Sequence, residues 1–199
     1  MRLYCRSWLL IWLVLSICLL LQAETSGLSF ETEQLSFTLQ DSLWYFEGDF
    51  GFFNSSPQKL KQTILFPVLE DSLQSRALHI TVTAGEDNSL LPVYNIGPKG
   101  FCFALEMQPE SFQIIRICYR QKLKAKQASY VLLTTLSWGK ALAYGSYRVS
   151  LPQDVKLIRY PFGEPAVKQI DGKNVYYWEF YDFLPQGDFE LAWDLIQID

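Results

Sequence analysis

The chain has 199 residues, is mildly acidic with 17 Lys and Arg against 21 Asp and Glu, and is rich in aromatic residues at 16%. An acidic balance without a concentrated basic face argues against nucleic-acid binding. The length is enough for one large core or two small ones.

Arg2 and Arg6 precede an uncharged apolar run from position 8 to 21. At 14 residues this run is short for a membrane span and suits a signal-peptide core. Residues 1–23 are therefore expected to be a signal peptide cleaved after Ala23, with an uncleaved N-terminal anchor as the alternative and the only expected membrane contact. Cys18 follows Ile17, which has the wrong size for lipoprotein processing. Removing the segment takes away two basic and no acidic residues, leaving a net charge of −6 on residues 24–199. It also removes Cys5 and Cys18, so Cys102 and Cys118 remain.

Residues 24–34 are polar and read as a loose lead-in. Leu35, Phe37 and Leu39 alternate with Ser36, Thr38 and Gln40, the pattern of a half-buried strand. Asp41-Ser42 turns the chain into 43–54, where Gly48 and Gly51 suggest a bulge or a close neighbour. A strand is predicted over 59–66, a connector over 69–76 and a further strand over 77–84. Residues 85–89 read as an acidic turn, preferred over a calcium loop because Asp87 and Asn88 lack a full ligand series. A short strand over 90–94 is followed by Gly97-Pro98-Lys99-Gly100, the candidate seam if the chain forms two packed sub-domains rather than one elongated domain.

Residues 101–107 and 112–121 read as a hairpin whose antiparallel register faces Phe101 with Tyr119, Phe103 with Ile117 and Leu105 with Ile115. That register sets Cys102 opposite Cys118, and in an oxidising compartment the two are expected to form a disulfide. Arg120, Lys122, Lys124 and Lys126 then fall at alternate positions, the mark of a protected edge strand. Strands are expected over 130–137, 143–151 and 155–160. Asp171-Gly172 between 167–170 and 174–181 is the strongest hairpin signal in the chain, and Phe189, Leu191, Trp193 and Leu195 mark a last strand. About a dozen short strands with little helix predict an all-β fold, an antiparallel β-sandwich of immunoglobulin-like or jelly-roll-like kind.

The series Tyr119-Arg120-Gln121, Tyr130 through Thr135, Trp138, Tyr147 through Pro152, Tyr160-Pro161 and Trp178 through Pro185 resembles exported bacterial β-sandwich proteins of unknown function. Glu47 through Asn54, followed by Phe66-Pro67, is similar to the same group. The resemblance implies an extracytoplasmic location and a β-sandwich fold, and carries no catalytic residues.

Among chemistry-bearing residues, His79 is the sole histidine, placed by strand phase on a wet face, and no nucleophile elbow accompanies it. Two thiols and a remote histidine make no structural zinc site, so no metal or other cofactor is expected. Glu47, Asp49, Glu179 and Asp182 sit beside aromatic residues, and Asp49 with Asp182 is the pair considered for glycoside cleavage. Adjacent Trp44 and Tyr45, and the run 176–181, place aromatic residues on both faces of a strand. Trp44, Tyr45, Tyr177 and Tyr181 are the candidate exposed binding surface, against the alternative of a strand buried on both faces. The expected function is a non-enzymatic structural or binding module outside the cytoplasm, secreted or in the cell envelope, whose partner is a protein or glycan. The alternative is a carbohydrate-binding module or a carboxylate-based glycosidase.

Overall fold

A computed structural model describes residues 27–196, so the expected signal peptide lies outside the described residues. The fold is all-β. The first strands are β1 (Leu28–Gln40), β2 (Leu43–Asn54), β3 (Leu60–Phe66), β4 (Leu78–Ala84) and β5 (Ser89–Leu90). Then come β6 (Val93–Gly97), β7 (Gly100–Met107), β8 (Ser111–Lys122) and β9 (Gln127–Tyr130), with a 3₁₀ segment at Leu133–Trp138. The chain closes with β10 (Leu142–Pro152), β11 (Val155–Arg159), β12 (Ala166–Ile170), β13 (Lys173–Phe183) and β14 (Phe189–Leu195).

Eight strands form one large sheet in the order β12-β13-β10-β1-β2-β8-β4-β5. Two three-stranded sheets, β11-β14-β9 and β3-β7-β6, cover one of its faces. Ring contacts show the layering. Phe66 of β3 lies 5.2 Å from Phe50 and 6.0 Å from Phe46 of β2, while Phe189 of β14 lies 5.2 Å from Phe37 of β1 and 5.4 Å from Tyr147 of β10. The period-2 alternation builds this interface. Leu35, Phe37 and Leu39 are buried between the layers, and Gln34, Ser36 and Thr38 stand on the opposite face. All pairs in the large sheet are antiparallel except β1 with β10, which run parallel. The expected antiparallel β-sandwich is thus the architecture found, with this one parallel pair inside it.

The turns follow their residues. Asp41-Ser42 and Asp171-Gly172 both take positive φ at two successive positions, which makes type I′ turns that close β1 to β2 and β12 to β13. Gly48 and Gly51 belong to an uninterrupted ladder with β8. Each is a close-neighbour glycine: a Cβ on Gly48 would meet the rings of Phe46 and Phe50, and one on Gly51 would meet Thr32 and Phe112. Residues 97–100 form the turn between β6 and β7, where Gly100 has φ +128 and packs on the Phe66 carbonyl.

The expected hairpin over 101–121 does not form. β7 pairs with β3 and β6 in a small sheet, and β8 pairs with β2 and β4 in the large one. Residues 108–110 therefore arch from one layer to the other. Phe101, Phe103, Leu105 and Met107 still face Ile115, Ile117 and Tyr119, but across the core rather than side by side on one sheet face. Cys102 and Cys118 consequently point away from the core on opposite outer faces, and both are free thiols. Packed sheets lie roughly 10 Å apart, beyond the ~7 Å Cα separation that a disulfide spans. The basic stretch is also not an edge: Arg120 and Lys122 belong to β8, which has neighbours on both sides. Of the predicted strand 130–137 only Tyr130 belongs to a strand, and the 3₁₀ segment takes 133–137.

Candidate functional site

The face of the large sheet turned away from the small sheets carries a recess built by cross-strand register. One row runs Thr38, Tyr45, Arg120 and the next runs Ser36, Glu47, Cys118, Thr81. Together with His79, all of these side chains but Thr81 line an open pocket of about 460 Å³. His79 enters it because β4 breaks register between Leu78 and Thr81, and His79 takes φ +54 at that irregularity. A left-handed backbone costs a non-glycine residue on the order of 1 kcal/mol, and such outliers gather where a side chain must be aimed.

The aimed contact is with Arg120. Its Nη2 donates to Nε2 of His79 at 2.6 Å. A guanidinium only donates, so Nε2 is the acceptor and the neutral ring carries its proton on Nδ1. The Arg120 Nε is the one buried side-chain polar atom among the described residues without a hydrogen-bond partner. No acidic side chain lies within ion-pair distance of Arg120 among the described residues. The neighbouring arginine is satisfied differently. Arg116 forks onto Asp49 at 2.7 and 2.8 Å, with Glu47 at 3.7 Å, and these acids raise its pKa further. Burial, then the Glu47 charge, pushes the Cys118 thiol up, which disfavours the reactive thiolate.

Of the four aromatic residues expected on a surface, Trp44 is a correction. It is 2% exposed and stacks on Trp193 at 5.4 Å and on Phe37 at 5.5 Å inside the core. Adjacent residues face opposite ways, so a buried Trp44 is what turns Tyr45 outward into the pocket. Tyr177 is half-buried on the outer face, covered by Arg148 and Lys168, each 5.7 Å from its ring centre. Tyr181 is 76% exposed and lies 5.3 Å from Tyr144. Tyr45 and the two β13 tyrosines share a face but are separated by β1 and β10, so they form no continuous platform.

Asp182 also lies on β13, at φ +49 and exposed, three strand positions from Asp49. At about 4.8 Å per strand that is roughly 14 Å, too wide for a glycosidase pair, and Asp49 is already held by Arg116. Glu179 accepts a long 3.4 Å hydrogen bond from the Tyr144 hydroxyl. No group of three His, Cys, Asp or Glu residues among the described residues is placed to hold a metal. Arg120 was legible in the sequence only as part of an alternating basic run. That its Nε lacks a partner while its Nη2 meets His79 depends on what β2 and β4 place beside it.

By sequence the chain matches no family model and no curated protein. Solved structures do share the fold. A candidate nutrient-binding protein from Legionella pneumophila superimposes with a TM-score of 0.66 at 14% identity, covering 84% of this chain and 67% of that one. An M1 zinc metallopeptidase from Deinococcus radiodurans superimposes with a TM-score of 0.52 at 11% identity, covering 83% of this chain. This chain spans 42% of that peptidase.

Proposed function

We propose that the protein is an exported, non-catalytic binding module that takes a small polar ligand through an anionic group seated on Arg120. The reading rests on Arg120 in the lining of an open pocket, with no acid among the described residues paired to it and its buried Nε without a partner. Ser36, Thr38 and Tyr45 supply hydroxyl groups around it, suited to the remaining polar atoms of a ligand. Charge-assisted hydrogen bonds contribute about 1.5–3 kcal/mol each, or roughly ten- to hundredfold in affinity. The fold shared with a candidate nutrient-binding protein is compatible with such a role. Export follows from residues 1–23 as a signal peptide.

The test is calorimetric titration of residues 24–199 with glutamate, glucuronate and phosphate, with glucose as the neutral control. At least one anion should bind, and Arg120→Met should weaken it tenfold or more while sparing the fold, because the Met stem keeps the packing of the arginine chain. Silence toward all three anions, or unchanged affinity in the variant, sinks the reading. The exposed Tyr181, packed against the half-buried Tyr144, favours a second reading, stacking on a neutral sugar. A glycan array with Tyr181→Ala as control decides it, and loss of a glycan signal in the variant is the supporting result.

A further inference from the structure

On the opposite side of the large sheet, the two small sheets leave a gap. The outer edge of β3 and the edge strand β9 are not hydrogen-bonded to each other. Between β3 and the 3₁₀ segment after β9 lies a cleft of about 330 Å³. Its floor is Phe30, Phe50 and Phe52 of the large sheet. Trp138 forms one wall, with its ring 5.9 Å from Phe30 and 5.6 Å from Phe52.

Glu33 lines this cleft, whose aromatic part is joined by the uncharged polar side chains of Gln62, Thr63, Thr134 and Thr135, and is 2% exposed. Oε1 accepts a hydrogen bond from the Tyr130 hydroxyl at 3.1 Å, and Oε2 accepts one from Tyr147 at 3.0 Å. Two donors leave half of the lone pairs of a carboxylate unfilled, and no cation lies within ion-pair distance among the described residues. A buried carboxylate without a cationic partner carries a large desolvation cost. Burial accordingly raises the pKa of Glu33 to about 7. An entering ammonium would supply the missing charge and donors, and the aromatic walls favour both an apolar body and a cation.

We infer that this cleft binds a small apolar ammonium compound, its cationic group on the Glu33 carboxylate and its apolar body among Phe30, Phe52 and Trp138. The site is separate from the Arg120 pocket and lies on the other face of the sheet, so either can fail without the other. Its occupant needs one protonated amine and an aromatic or branched aliphatic body of about phenyl size.

The groups facing Glu33 decide how binding follows pH. Tyr130 of β9 and Tyr147 of β10 both have pKa values raised by burial, so they keep their protons. The residues that β2, β3 and the 3₁₀ segment contribute to the cleft are uncharged. Glu33 is then the group that titrates near neutrality, and the ammonium binds its ionised form. Affinity rises about tenfold per pH unit below 7 and levels off above it.

Calorimetric titration with 2-phenylethylammonium, 2-phenylethanol and 3-phenylpropionate, at about pH 5.5 and about pH 8, tests this. At the higher pH the ammonium should bind at least tenfold more tightly than the alcohol, and the carboxylate should not bind. At the lower pH the ammonium should lose at least tenfold in affinity while the alcohol does not change. Glu33→Gln should abolish the preference for the cation and keep any affinity for the alcohol. No ammonium binding, equal binding of ammonium and alcohol, or a cation preference that survives in Glu33→Gln or at the lower pH overturns the inference. If the variant does not fold, the comparison of the three probes on the unmodified protein still decides.

Discussion

A carboxyl group buried beside aromatic rings makes the stability of the whole chain respond to pH. Glu33 has an ordinary pKa of 4.5 and a folded value of about 7, raised chiefly by burial and opposed by its two tyrosine hydrogen bonds. Between those values the folded chain holds the proton and the unfolded chain does not. The contribution is therefore full below about pH 4.5 and is lost as the pH rises through 7, with a size of about 3 kcal/mol. Urea unfolding at about pH 5 and about pH 8 should show this loss in the parent and not in Glu33→Gln, so the difference between the two proteins isolates it from other carboxylates. None of this was legible in residues 24–34, whose polar composition reads as a loose lead-in. Thr32 and Glu33 nevertheless pair with both β10 and β2. The adjacent Trp44 and Tyr45 show a milder form of the same limit. Alternation says that one faces in, and only the stacking of Trp44 on Trp193 says which.

At the scale of the element, β7 and β8 show how far a strand pattern reaches. Each alternates apolar and polar residues, so each has one core face, and that much holds in the fold. A hairpin and an interlayer arch both let those faces meet. The choice falls to β3 and β6, which occupy both edges of β7, and to β2 and β4, which occupy both edges of β8. The cysteines supply the measurement. Alkylation of the denatured, unreduced protein comprising residues 24–199 should modify both Cys102 and Cys118, each free in the fold. The double variant Cys102→Ser, Cys118→Ser should unfold within about 1 kcal/mol of the parent, whereas loss of a disulfide closing so short a loop would cost about 3 kcal/mol. Recovery of a disulfide-linked peptide would contradict the arch. Arg120 belongs to the same lesson: a residue in an alternating basic run becomes a pocket residue because its strand is central.

For the molecule as a whole, one wide sheet with a covered face and an open face makes protection uneven. β1, β2, β8 and β10 are flanked on both sides, while β5 and β12 are the two edges of the large sheet. Amide exchange should be slowest in those four central strands and fastest in β5 and β12, because opening an edge exposes little core. Equal protection across the sheet would refute this layering. The parallel contact of β1 with β10 joins segments more than a hundred residues apart in the chain, which makes the topology rich in non-local contacts and predicts folding on the millisecond-to-second scale. The sequence by itself determined the class of the fold, the alternation that gives most strands one core face, the turns at Asp41-Ser42 and Asp171-Gly172 and the scarcity of helix. These follow from period-2 alternation and from local backbone preferences, which need no distant partner. Tertiary structure alone decided which strands are neighbours, and with that the free cysteines, the burial of Trp44, the partnerless Nε of Arg120 and the buried Glu33. Those outcomes depend on contacts between residues far apart in sequence, and alternation is the same whichever partner a strand finds.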